Sequence, residues 1–496
     1  MSALQPHLPA LQVIVPMLSA PLVLLLRDRG LSWAATTLVS LCSFALAVAL
    51  CLEVLADHRI LYEMGSWPAP WGIELGVDAF SVLLLLVVNG ASSLALLGAM
   101  GSIDRDIEGE RQPLFYAAWL LALAGLNGIL VTADAFNIFV FMEISALASY
   151  VIVSAGPNRR VLPAVFKYLI MGTIGATFYL IGVGLIYLMT GTLNLADMEL
   201  RIHEVADQKP ILVAAGFITI GLALKAAVFP LHGWLPNAYT YAPNMVTVFL
   251  AACATKVSLY ILLRFDFFVF QPNLAGHDIQ FAYFLMPLSL LAILVASTVA
   301  MFEPNLKRLL AWSSIAQIGY ITLGASLVSL AGITASLLHM FNHALAKSAL
   351  FLALACLGMS VRRLRLENIG GIAQQMPWTM AAFVLAGLSL IGVPGTAGFI
   401  SKWYLISAAY ESGPWGIALV GVIIISSLMA VVYIWRVVEV AYFSKPADTV
   451  EIAEAPLPLL LVTWIAVALN FYFGLAASLP LDLSRTAALI LMGHMP

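Results

Sequence analysis

The sequence predicts an all-α polytopic membrane protein with about fourteen transmembrane helices. Three observations predict it. First, 62% of the 496 residues are hydrophobic and only 10% are charged, whereas a soluble domain carries about 25% charged residues and cannot bury so much apolar surface. Second, apolar runs near the length of roughly 20 residues that a bilayer demands follow one another almost without pause. Third, Lys and Arg are distributed unevenly between alternate loops.

The runs fall near 10–26, 31–52, 77–100, 113–131, 135–154, 163–189, 211–229, 244–263, 281–302, 305–328, 331–358, 376–410, 413–438 and 455–475. The first lacks the basic start and cleavage site of a signal peptide, so it is expected to be retained. Two runs are broken. The seventh reaches Phe229-Pro230 and continues through LHGWLPNAYTYAP; the twelfth is interrupted by IGVPGTAGF at 391–399. Backbone groups freed at such breaks are tolerated where protein or a wet cavity satisfies them.

With the N-terminus outside, fourteen Lys and Arg lie at cytoplasmic loops and helix ends, five lie outside and four lie within spans. That bias obeys the positive-inside rule and predicts both termini outside. Net charge, −3, says little by comparison. The broken seventh and twelfth spans stand five apart, an odd offset that reverses topology. This suggests an inverted repeat of spans 4–8 and 9–13, as in repeat-built transporters. The expected organisation is one membrane domain: 1–112 with three spans, 113–263 as first repeat, 281–443 as second, and 455–496 as the last span and tail.

The decisive residues are ionisable groups deep in the spans. Glu143, in FNIFVFMEISALASY, is the one acid well inside an apolar run; Lys225, Lys256, Lys347 and Lys402 are the bases. Each such charge costs at least ~2.5–3.5 kcal/mol to insert. A lysine near a helix end can snorkel to the headgroups, which suits Lys167 and Arg264 but not Glu143 or Lys256. One carboxylate can form one structural ion pair, yet it cannot serve four ammonium groups. Burial favours the neutral amine, and a lysine that exchanges its proton is a relay element. His339, His343 and Lys347 follow at i, i+4 and i+8, one stripe on the eleventh helix. An HxxxH pair can bind metal, but no acid accompanies it and a lysine one turn on would repel a cation. A hydrated proton path is therefore expected over a metal site or an ordinary polar stripe. His232, beside Pro230 in the seventh-span break, is a secondary candidate.

Other polar residues read as ordinary. Glu63, Glu74, Glu108 and Glu110 are expected to be solvated, and Asp134 to cap a helix. Cys42, Cys51, Cys253 and Cys356 have no CxxC spacing and read as small buried packing residues, without a disulfide, cluster or zinc.

KAAVFPLHGWLPNAYTYAP (225–243), FNIFVFMEISALASY (136–150) and HMFNHALAKSALFL (339–352) resemble the antiporter-like subunits shared by respiratory complex I and the multisubunit Mrp cation/proton antiporters. The segment 167–198, KYLIMGTIGATFYLIGVGLIYLMTGTLNLADM, looks most like the Mrp D-type subunit. The resemblance covers nearly the whole chain. It implies that Glu143 pairs with Lys225, that Lys256 is the helix 8 lysine, that His339 and His343 are the helix 11 histidines with Lys347 alongside, and that Lys402 is the basic residue of the broken helix 12. The M-type complex I subunit carries a glutamate at that last position. The short tail leaves no room for the lateral helix of the L-type complex I subunit or the extra C-terminal domains of the A-type Mrp subunit.

What the resemblance implies is a proton-translocating subunit of a Mrp-type monovalent cation/proton antiporter in the cell (inner) membrane. Partners would be A-, B-, C-, E-, F- and G-like chains, protons and a monovalent cation, Na+ first. No cofactor, metal or nucleic acid is expected, and the chain would be a transporter subunit, not an enzyme. The alternative is the proton-pumping N-type subunit of an NADH-quinone oxidoreductase-like complex. A stand-alone transporter of an organic substrate is a third reading, disfavoured because the polar groups form a line and not a midplane pocket.

Overall fold

A computed structural model describes residues 5–57, 59–270, 277–445 and 453–493. The described residues form eighteen α-helices and one two-stranded hairpin. In chain order these are α1 (Leu8–Leu25), α2 (Arg29–Asp57), α3 (Ala79–Gly98), α4 (Gln112–Val131), α5 (Ala135–Ser154), α6 (Val161–Thr190), α7 (Leu195–Val205), α8 (Lys209–Lys225) and α9 (Leu235–Tyr241). The second half comprises α10 (Asn244–Leu263), α11 (His277–Phe302), α12 (Leu306–Ser326), α13 (Leu330–Gly358), α14 (Pro377–Ile391), α15 (Ala397–Tyr410), α16 (Gly416–Phe443), α17 (Leu457–Leu475) and α18 (Ser478–Leu491).

Local sequence sets the helix ends. Asp78, Asp134, Asn194, Asn305 and Ser329 each accept a backbone N–H of the first turn of α3, α5, α7, α12 and α13, satisfying donors that a helix start leaves unpaired. The expected cap at Asp134 is among them, bonded to Asn137 N at 2.7 Å. Proline fills the first turn of α1, α4, α8, α9, α14 and α17, where its missing N–H costs nothing.

Every predicted run coincides with a helix or a broken pair. Eleven described helices are long and apolar enough to cross a bilayer. The other three runs are α12, which is rich in polar residues, and the interrupted pairs α8–α9 and α14–α15. Burial separates the helices by role. The hydropathic windows of α4, α10 and α13 are 89%, 89% and 94% buried, against 33% for α2, α11 and α16. The first group is the protein's interior, and the second presents apolar side chains outward, to lipid or other chains. The axis is α13, packed against α3, α10, α12, α14, α15, α17 and α18.

Three elements lie outside the predicted spans. β1 (Arg59–Glu63) pairs antiparallel with β2 (Glu74–Asp78). α7 is a short amphipathic helix whose buried residues are Leu195, Met198 and Ile202. The tail forms α18, which seats Leu483, Ala487, Ala488 and Leu491 against α3 and α13. Of the cysteines, Cys51, Cys253 and Cys356 are buried, but Cys42 is exposed on α2 and is not a packing residue of the interior.

Candidate functional site

The ionisable residues expected deep in the spans fall into one paired site and one network without a carboxylate among its named members. α8 ends at Lys225, where the helix gives way to the irregular segment 226–234 before α9. Ala227 takes φ +57° there and donates its N–H to the Leu224 carbonyl at 3.2 Å, which also accepts from Trp234 Nε1 at 3.0 Å. Lys225 Nζ lies 3.5 Å from Glu143 Oε1 of α5, the lysine side chain 7% exposed and the carboxylate 27%. α6 approaches closely because Gly175 and Gly221 meet: a Cβ on Gly221 would lie 2.5 Å from the Gly175 carbonyl oxygen. A cavity of about 40 Å³ separates Lys225 from α10, with Ser145, Ser149, Tyr150, Tyr168 and Ser258 among its walls. That is room for about one water.

Lys256, on the facing side of the interior, is 1% exposed. Its ammonium donates to the Ala251 carbonyl of its own helix. Its helix packs directly against α13, which carries His339, His343 and Lys347. On α13 the two imidazoles stack with centroids 6.1 Å apart, as the i, i+4 spacing requires. His339 is held at both nitrogens, Nδ1 at 2.8 Å from Ser401 Oγ of α15 and Nε2 at 2.9 Å from Gln317 Oε1 of α12. Neither ring nitrogen of His343 has a protein hydrogen-bond partner, a costly arrangement at 2% exposure unless water reaches the ring. Lys347 donates to the Leu310 carbonyl at 2.7 Å and Ser313 Oγ at 2.5 Å.

Lys402 lies on α15 and turns back across the break. It donates to the carbonyls of Leu390 and Ile391 at 3.0 and 2.8 Å and to Ser427 Oγ at 3.1 Å, with the Tyr320 ring 5.1 Å away. Those carbonyls are the last of α14, left unpaired by the helix end and carrying the negative end of its dipole. Gly392 leaves space for the lysine stem, since a Cβ there would meet Lys402 Cδ at 2.9 Å, and its φ of +92° closes α14. Asn342 Nδ2 donates to the Ala397 carbonyl at 2.7 Å, which ties α13 to the start of α15.

The structure thus brings together Lys256, His343, His339 and Lys402, with Lys347 one turn further along α13. It sets Glu143–Lys225 apart behind the small cavity. His232 stacks on Phe229 (5.1 Å) and meets Trp312 of α12 edge-on (5.3 Å); its charged neighbour is Lys167. Among the described residues no three His, Cys, Asp or Glu side chains cluster as metal ligands would.

Besides Glu143, two acids near run ends are buried, Asp78 and Asp266 at 5% and 1% exposure. One expectation needs correction: Arg264 does not snorkel. It forms a two-pronged ion pair with Asp78 at 2.8 and 2.9 Å and also donates to Tyr260. It opens a π-helical stretch (Arg264–Phe270) beyond α10, on which Asp266 accepts from Thr219 of α8 at 3.1 Å. Gln317, Ser313, Ser401 and Ser427 were not singled out by the sequence. The signal that points to Gln317 is an uncharged amide within an apolar run.

Residues 132–429 match the family described as NADH:quinone oxidoreductase/Mrp antiporter, transmembrane. The chain is 41% identical over 462 residues to NADH-quinone oxidoreductase subunit N of Desulforudis audaxviator, covering 91% of this chain and 90% of that one. It superimposes with a TM-score of 0.90 on a chain of the Mrp complex from Dietzia sp., at 26% identity and 99% and 98% coverage. The TM-score is again 0.90 for a chain of the membrane-bound sulfane sulfur reductase, an archaeal respiratory membrane complex, at 29% identity and 98% and 97% coverage. The D-type likeness read from residues 167–198 is therefore not favoured over the N-type.

Proposed function

Because the chain belongs to the family of membrane subunits that NADH:quinone oxidoreductases and Mrp antiporters share, we propose that it moves protons as an N-type subunit of a redox-driven multisubunit complex. The observation that carries this reading is the acid-free network of Lys256, His343, His339 and Lys402, in which each buried base has uncharged partners or a second titratable group as neighbour. Such groups can hold a proton or give it up without leaving a carboxylate stranded, and they span the interior from α10 to α15. Glu143 would hold the proton on Lys225 by its charge, and the cavity beside Lys225 would pass it toward α10. The two breaks would bound two half-channels, in repeats 113–263 and 281–443. The fourteen-to-five charge bias supports an orientation with both termini outside, and this reading places the chain in the cell (inner) membrane.

A second reading, a Mrp-type cation/proton antiporter subunit, is supported by the likeness to the Dietzia Mrp chain. No residue cluster described above points to Na+ binding, so the cation would be carried by partner subunits. Purifying the tagged chain from its own host in mild detergent, and identifying what comes with it, separates the two. Co-purifying electron-transfer subunits are expected. Only small membrane subunits of an antiporter would move the chain to the second reading, and a chain that purifies alone would sink both.

A further inference from the structure

At the membrane face where α6, α10 and α12 begin and α13 ends, a basin of about 690 Å³ opens, adjoining a second hollow of about 1260 Å³. Both are lined by Arg362 and Arg363, which follow α13, and by Pro157 and Asn158, which precede α6. Several cations of the rim are already committed. Arg308 pairs with Glu303 at 3.4 Å and Arg365 with Glu367 at 2.9 Å. Lys307 donates to the Ala242 carbonyl at 2.7 Å and Arg105 to the Gly358 carbonyl at 3.3 Å. The rim acid Asp106 is taken by the Asn244 N–H at 2.8 Å. Arg159, Arg160, Arg362 and Arg363 remain, and among the described residues no carboxylate pairs with any of them. All four are exposed; Arg160 lines the basin, Arg159 the adjoining hollow, and Arg362 and Arg363 line both.

The positive-inside bias explains why arginines occur on this face, but it does not require them to converge on one concavity. Nor does it place three helix starts there: Arg160 and Asn305 are the N-caps of α6 and α12, and Asn244 is the first residue of α10. Each start adds about half a positive charge. Guanidinium groups without a carboxylate partner and helix N-termini lining one basin match the needs of a tetrahedral oxyanion, which an arginine fork binds through two N–H groups at once.

We propose that this basin is a binding site for a phosphate-bearing anion, gripped between Arg160 at the start of α6 and Arg362/Arg363 after α13. The anion comes from a phospholipid headgroup or from a soluble phosphate compound, and in either case it bridges the two predicted repeats. The proposal is independent of the proton path.

The test uses the full chain in zwitterionic nanodiscs, with thermal unfolding and calorimetry as readouts. Wild type is titrated with inorganic pyrophosphate, and separately the discs are doped with phosphatidylglycerol or cardiolipin. The first variant combines Arg160→Gln, Arg362→Gln and Arg363→Gln. A control variant combines Arg27→Gln and Lys445→Gln, two cations assigned to the same membrane face outside the basin. The expected result is at least tenfold weaker binding in the basin variant and none of that loss in the control. Because the substituted arginines are exposed, unliganded melting should stay unchanged. Response to pyrophosphate assigns a soluble anion, and response only to anionic lipid assigns a headgroup. Equal loss in both variants would show diffuse surface charge, and no response in wild type would show no site; either overturns the proposal.

Discussion

At the α8–α9 break, Lys225 is the last helical residue and faces the Glu143 carboxylate at 3.5 Å. At the α14–α15 break, Lys402 lies beyond the interruption and donates to the Leu390 and Ile391 carbonyls and the Ser427 hydroxyl. The two breaks correspond in sequence offset, yet they compensate their lysines by different means. A carboxylate supplies a full negative charge that is stranded once the lysine becomes neutral. Helix-end carbonyls supply about half a charge and need only N–H donors. A neutral amine keeps two of those donors, and Ser427 can turn its hydroxyl to donate to the nitrogen. Lys402 can therefore change protonation with its network intact, whereas Lys225 and Glu143 must change together.

The largest expected effect follows from that coupling. Glu143→Gln should reduce proton transport by the assembled complex to background, because it leaves the Lys225 ammonium without its counter-charge. Removing one partner of a buried pair costs about 3–5 kcal/mol, an upper bound here since the carboxylate is partly exposed. Glu143→Asp should retain partial transport. Vesicles containing the whole complex, checked for subunit content by gel and assayed for proton uptake, measure this. Normal uptake by an intact Glu143→Gln complex would make the pair dispensable and erase the difference between the two breaks.

The second effect is a reversal of rank at Lys402. Arginine preserves the positive charge but cannot be deprotonated in a protein. Glutamate reverses the charge yet keeps an exchangeable proton. If proton exchange is what matters, Lys402→Glu should retain more transport than Lys402→Arg in the same vesicle assay. Near-normal transport by Lys402→Arg would reduce Lys402 to a cation that holds the end of α14.

Much of this contrast was legible in the sequence, because it rests on covalent features. The VPGTAG and FPLHGWLP segments mark the breaks, and a lysine in an apolar run is conspicuous at any depth. What compensates each lysine was only half legible. Glu143 stands out as a charge, but the partners of Lys402 and Lys347 are the carbonyls of Leu390, Ile391 and Leu310, atoms every residue possesses. Gln317 and Ser401 are ordinary polar residues until α12 and α15 are folded around His339. The pairing of Arg264 with Asp78 escapes the sequence for a related reason. Both residues sit near predicted span ends, where water is the default neighbour, and their burial depends on β2 and the π-helical stretch. α18 escaped as a span because it is short and amphipathic; its apolar residues Leu483, Ala487 and Leu491 follow the spacing of one helical face.

The smallest expected effect tests whether the acid-free region tolerates both protonation states at His339 as it does at Lys402. With the ring charged, both nitrogens donate, Nδ1 to Ser401 Oγ and Nε2 to Gln317 Oε1, and the Ser401 hydroxyl is free to donate to the Gly398 carbonyl at 3.3 Å. With the ring neutral, Gln317 Oε1 keeps the proton on Nε2, and Ser401 turns its hydroxyl toward Nδ1. One rotating hydroxyl therefore satisfies the ring in either state. Ser401→Ala removes that partner from both, but the charged ring loses more, since a hydrogen bond to a charged group is worth about 1 kcal/mol more than a neutral one. That difference disfavours the proton on His339 by about fivefold, and transport should slow by a similar factor while assembly and melting change little. Ser401→Thr, which keeps the hydroxyl, should recover most of the rate. If Ser401→Ala instead lowers the melting temperature and leaves transport alone, the hydroxyl serves only to fasten α13 to α15, and the proton does not pass through His339.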